Sequence, residues 1–194
     1  SGAMGLISGV VPRLLKGERG VLSAAQIAGG LEHLELPHGR AALAVIENTA
    51  NFGGGTLYPP QGLAAIFELC KTQSLPLHVD GARIWNAVVA TGAAAGSLAP
   101  PPGNTLSVCF SKGLGAPMGA LLLGNRDDLA QARRLRMMLG GTMRQVGFMA
   151  AAALHGFRYN LPRLAEDHAN ARLIADLISA SPGVALEPTH VQTN

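Results

Sequence analysis

Short apolar runs alternate with segments of helical spacing along most of the chain. Ala41 to Ile46 is continuous and apolar, which predicts a buried strand, with a loop from Asn48 to Gly55 at its carboxyl end. Pro60 to Gln73 predicts a helix whose apolar face holds Leu63, Ile66, Phe67, Leu69 and Cys70. Leu75 to Val79 reads as the next strand, stopped by Asp80, and Ala82 to Ala90 as the next helix. Ser97 to Asn104 is a proline-rich loop; Leu106 to Phe110 and Ala120 to Gly124 are further strands. Upstream, Ile7 to Val11 has strand character before Pro12, and Lys16 to Gly20 is a turn. Ser23 predicts an N-cap with Gln26 at the capping-box position, for a helix ending near Gly29-Gly30, and Leu36 to Arg40 is a loop. Asp127-Asp128 opens a helix to about Met138, its acids suited to the helix dipole. Gln145 to Tyr159 predicts an alanine-rich helix buried on several sides. A long helix from Pro162 ends near Ser181-Pro182-Gly183, and Val184 to Leu186 predicts a strand.

Strand and helix in alternation predict an α/β fold with a mainly parallel sheet covered by helices. Residues 1–158 form its larger part, and residues 159–194 begin a small C-terminal domain. Composition agrees: 48% hydrophobic and 14% charged residues in 194 exclude a disordered chain. A net charge of +3 is compatible with an anionic ligand and does not point to nucleic acid. The basic cluster Arg133, Arg134 and Arg136 has no interleaved aromatics, so it reads as a solvated helix face. Cys70 and Cys109 sit in apolar contexts and form no metal-ligand pattern, so no metal is expected. No run is long enough to span a membrane and no signal-peptide pattern is present, which predicts a cytoplasmic protein. Ser1-Gly2-Ala3-Met4 reads equally as a vector remnant or as native chain.

Two strand ends carry the chemistry. His78-Val79-Asp80-Gly81-Ala82-Arg83 ends an apolar run in a carboxylate. Ser107 to Gly119 ends another in Lys112, within a glycine-rich turn. In open α/β sheets, ligands bind beyond the carboxyl ends of the strands. An acid and an amine along one such crevice are what pyridoxal phosphate needs: the lysine holds the cofactor as a Schiff base, and the carboxylate keeps the pyridine nitrogen protonated. Held between small residues at a strand end, Lys112 is expected to be partly desolvated, which favours its neutral, nucleophilic form. Each residue also has a plainer reading. Alone, Lys112 would be a solvated surface residue and Asp80 a helix cap. Arg83 alone would be a surface ion pair, and His78 a buried, hydrogen-bonded histidine. Arg144, beside Gly140-Gly141, suits a phosphate or carboxylate, with a neighbouring subunit's site as one place for it; its plainer reading is a helix-start arginine paired with an acid. Gly113, Gly115 and Gly119 do not have the spacing of a dinucleotide-binding loop.

His78 to Ala87 and Ser111 to Gly119 resemble the signature segments of the low-specificity threonine aldolases, pyridoxal phosphate enzymes of the aspartate-aminotransferase-like fold type I. Met138 to Gly147, Glu47-Asn48-Thr49 with Asn51, Glu166 to Arg172 and Val191 to Asn194 match as well, so the resemblance runs from about Ile7 to Asn194. It implies Lys112 as the catalytic, cofactor-bearing lysine, Asp80 at the ring nitrogen, and Arg83 near the ring's phenolic oxygen. It also implies cleavage of L-threonine, L-allo-threonine or related β-hydroxy-α-amino acids to glycine and an aldehyde, and a homotetramer. The family's phosphate cup, its ring-stacking histidine and its C-terminal carboxylate-gripping arginine find no counterpart, which reads as a fragment lacking both ends. Where the family commonly has histidine after Glu-Asn-Thr, this chain has Ala50, which puts the acid/base step or substrate choice in question. A related lyase or amino-acid racemase, or an inactive fragment that only associates with other subunits, stay open as alternatives.

Overall fold

A computed structural model describes residues 3–32 and 39–194. Ser1 and Gly2, and most of the loop expected at Leu36 to Arg40, lie outside them. Four strands form one sheet in the order β1-β2-β3-β4: β1 Ala44–Glu47, β2 Leu77–Gly81, β3 Thr105–Cys109 and β4 Ala120–Leu123. The first three are parallel, and β4 returns antiparallel beside β3. Seven α-helices accompany them among the described residues: α1 Ala3–Ser8, α2 Ala24–Leu31, α3 Pro60–Thr72, α4 Ile84–Thr91, α5 Arg126–Met138, α6 Gly147–Tyr159 and α7 Leu164–Ser179.

Local chemistry sets the helix ends. Ser23 and Gln26 cap α2 reciprocally, side chain to backbone in both directions. Pro59 and Pro60 start α3, where a missing N–H costs nothing. Gly92, at φ 65°, ends α4 in the left-handed conformation. Asn125 caps α5 and leaves Asp127 and Asp128 in its first turn. The core lies between the sheet and α2, α3 and α4, where Leu63, Ile66, Leu77, Val79, Ile84 and Leu106 are buried.

Three expectations fail. Ile7 to Val11 is not a strand: α1 runs to Ser8 and irregular chain follows, all of it exposed, so the β-branched residues have no ladder to join. Val184 to Leu186 is exposed irregular chain, again with no partner strand. In α6 only Gly156 is buried, because much of its apolar surface faces an open cleft. The stretch after α7 instead turns back across the larger part of the chain. The Gln192 side chain accepts from Leu57 N–H at 2.7 Å, Thr193 Oγ1 donates to Gly55 O at 2.8 Å, and an Arg19 guanidinium N–H donates to His190 O.

Candidate active site

Because β1, β2 and β3 are parallel, their carboxyl ends share one edge. The register sets Glu47 beside Asp80 and Asp80 beside Ser107, with His78 beside Thr105. Paired residues of neighbouring strands project from the same face. Burial follows that alternation: Leu77, Val79, Leu106 and Val108 are buried, whereas His78, Asp80, Thr105 and Ser107 are half-buried. One face is thus apolar core, and the other carries a polar ladder that ends at the ligand-binding edge.

The ladder is hydrogen-bonded. His78 Nδ1 lies 2.8 Å from Thr105 Oγ1. Burial pushes the His78 pKa below its ordinary value, against the opposing pull of Asp80. Asp80 Oδ1 accepts from the Ala82 N–H at 3.0 Å and from the Ser107 hydroxyl at 3.4 Å. Neither Thr105 nor Ser107 stood out in the sequence; the signal available was polar alternation in Thr105-Leu106-Ser107-Val108.

At the end of β1, Asn48 and Thr49 are each 1% exposed, and Asn48 Oδ1 and Thr49 Oγ1 lack a partner among the described residues. The Asn48 N–H donates to Asp80 O at 2.9 Å, tying this loop to β2. Ala50 is buried against the turn at Gly20, where a built Cβ would come within 2.8 Å of the Ala50 Cβ. A larger side chain at position 50 would meet that turn.

Lys112 follows β3 in a tight turn. Phe110 N–H bonds Gly119 O at 3.0 Å, Ala116 N–H bonds Phe110 O at 3.0 Å, and Gly115 N–H bonds Lys112 O at 2.8 Å. Gly115 is required at φ 75°. Below the turn, Leu114 is buried and its carbonyl accepts from Asn160 Nδ2 at 2.9 Å. Lys112 itself is exposed, contrary to the expected desolvation. Arg83 is half-buried at the N-cap of α4. Arg144 lies exposed in the turn between α5 and α6. The strand ends and the turns that follow them bring Asp80, Arg83 and Lys112 to one edge.

This donor set suits a heteroaromatic aldehyde. One carboxylate oxygen is engaged and the other has no hydrogen-bond partner among the described residues, an amine is accessible, and two buried polar atoms nearby stand unpaired. No group of three metal-ligating side chains occurs among the described residues.

An open α/β sheet of this kind, with an acid and an amine on its strand-end edge, is the fold type I architecture found in pyridoxal phosphate enzymes. The family described as Beta-eliminating lyase matches residues 1–194, and the chain belongs to that family. The low-specificity L-threonine aldolase 1 of Arabidopsis thaliana is 34% identical over the whole chain, which spans 55% of that relative. The low specificity L-threonine aldolase of Escherichia coli K12 is 41% identical over 81% of the chain and 46% of the relative. A Listeria monocytogenes structure, provisionally named an L-allo-threonine aldolase, superposes with a TM-score of 0.78 at 26% identity, over 94% of this chain and 48% of that one. The chain therefore spans about half the length of the relatives it matches. The cofactor that goes with this family and fold is pyridoxal 5′-phosphate.

Proposed function

We propose that this chain is the cofactor-holding part of an aldolase that cleaves L-threonine, L-allo-threonine or related β-hydroxy-α-amino acids to glycine and an aldehyde. The carrying observation is the common edge of β2 and β3, which ends in Asp80 on one strand and leads to Lys112 from the next. The named relatives support the choice of aldol cleavage over other lyase reactions. When bound, pyridoxal phosphate supplies an electron-withdrawing ring that stabilises negative charge at the substrate Cα as the Cα–Cβ bond breaks. Lys112 provides the primary amine that holds the cofactor's aldehyde carbon. Asp80 accepts a hydrogen bond from the ring nitrogen and keeps its proton there. Arg83 offers a fixed cation to the phenolic oxygen. Arg144, exposed in the turn between α5 and α6, is assigned an anion-binding role in the site of a neighbouring subunit of a homo-oligomer, expected to be a tetramer. A cytoplasmic location belongs to the same reading; no helix among the described residues is long and apolar enough to cross a membrane.

The test is covalent. Pyridoxal phosphate added to the purified protein is expected to give a visible absorbance that borohydride fixes onto Lys112, read by peptide mass. Lys112→Ala should lose the adduct. Asp80→Ala should keep it and slow aldehyde release from threonine on the order of a hundredfold or more. Absence of the adduct in the unmodified protein defeats the reading. An adduct with exchange of the Cα proton but no aldehyde moves the assignment to a racemase-like reaction.

A further inference from the structure

We propose that Ser107 is a positioning residue for the Asp80 carboxylate: with the Ala82 N–H it anchors Oδ1 and leaves Oδ2 as the oxygen available to the cofactor's ring nitrogen. This rests on the cofactor role of Asp80 given above.

The terminal torsion of an aspartate is soft, so a carboxylate held by one donor can swing. Ala82 N–H supplies the first donor at 3.0 Å, from two residues along the same chain. Ser107 supplies the second from the neighbouring strand, and the register makes it the residue directly beside Asp80. Two donors from different directions on one oxygen define the carboxylate plane. At 3.4 Å the serine bond is long for an O–H···O pair, so its effect belongs at the modest end. One row back, Thr105 holds His78 in the same cross-strand manner. The ionisable groups around Asp80 are Glu47 from β1, His78 from β2, Arg83 at the start of α4 and Lys112 after β3, with Asp167 of α7 close to the neighbouring Gly113. None of these hydrogen-bonds the Asp80 carboxylate among the described residues, so the serine hydroxyl is its only side-chain donor there.

The experiment compares unmodified protein with Ser107→Ala, Ser107→Thr, Ser107→Cys and Thr105→Ala. Two readouts independent of turnover are used: the dissociation constant for pyridoxal phosphate, and the resonance of the isotope-labelled ring nitrogen in the bound cofactor. Ser107→Ala is expected to weaken binding on the order of three- to tenfold and to move the ring-nitrogen signal toward the unprotonated position. Ser107→Thr keeps the hydroxyl and should behave as the unmodified protein. Thr105→Ala removes a neighbouring ladder bond that does not touch Asp80 and should leave the ring signal in place. Ser107→Cys keeps the volume with a weaker donor, so it should weaken binding even if the alanine variant fails to fold. If the alanine and cysteine variants match the unmodified protein in both readouts, Ser107 does not position Asp80. If the unmodified protein binds no cofactor at Lys112, the underlying reading fails as well, and the two failures are distinguished.

Discussion

At Gly156, α6 touches the lysine turn backbone to backbone. A Cβ there would sit 2.2 Å from the Leu114 carbonyl oxygen, the same oxygen that Asn160 holds. Gly156→Ala must therefore displace either the helix or the turn carrying Lys112, and is expected to cost about 1–3 kcal/mol in urea unfolding. Gly147→Ala, in the first turn of the same helix with nothing within 4 Å of the added atom, should be neutral or stabilising by less than about 1 kcal/mol. Equal losses for both variants would show that helix propensity and not the close approach decides. At this scale the sequence announced residues whose chemistry is unusual at a strand end: Asp80, Lys112 and, through the resemblance, Arg83. It did not announce Ser107, since serine in a strand is ordinary until a register gives it a carboxylate neighbour. The exposure of Lys112 was also invisible, because cover at an edge comes from elements distant in the chain.

Elements were legible wherever a local rule was strong. The capping box of α2, the acids opening α5 and the apolar runs of β1, β2 and β3 all form as read, with ends displaced by a few residues because the ladder partner decides where a strand stops. Short β-branched stretches misled, since a strand exists only with a neighbour. The packing of α7 against α4 depends on a side-chain relay that no pattern foretells. Asn86 Nδ2 donates to His168 Nε2 at 3.1 Å and to Asn194 Oδ1 at 2.8 Å, which requires a neutral histidine with its proton on Nδ1. His168 is buried, and desolvation lowers its pKa, with Asp167 opposing and Arg172 reinforcing. The unfolded chain then binds the proton more readily than the folded one. Stability from this group is complete above the ordinary histidine value of about 6.5 and declines as the pH falls below it. Urea midpoints measured from pH 8 to pH 5 should fall toward acid, and His168→Gln should flatten the slope. Some slope should remain, because His78 is shifted in the same direction. An unchanged slope in the variant would remove His168 as a contributor.

The whole molecule exposes 12570 Å² for a mass of 19.9 kDa. A compact monomer of that mass shows about 8700 Å². Much of the excess is apolar: every residue of β4 is exposed, as are Leu135, Met137 and Met138 on α5 and Phe148 and Leu154 on α6. A cleft of about 620 Å³ opens between β3, β4, α4 and α6, lined by Trp85, Phe110, Leu121, Met149 and Phe157. Surface of this extent and character calls for cover by more protein. These 194 residues, expressed by themselves, should bind a hydrophobic dye and elute as larger species on size exclusion; a monodisperse monomer that leaves the dye dark would contradict that. The α/β class and the mainly parallel sheet were legible from alternation alone, whereas the strand order and the uncovered side were not, because composition counts apolar residues without saying which find a partner. The tail that follows α7 has a consequence of its own. Residues 181–187 are exposed, while Gln192, Thr193 and Asn194 are tied to Leu57, Gly55 and Asn86. A protease that nicks near Gly183 would sever the polypeptide without freeing residues 184–194, which would stay seated as a plug beside the β1 loop until denaturant released them.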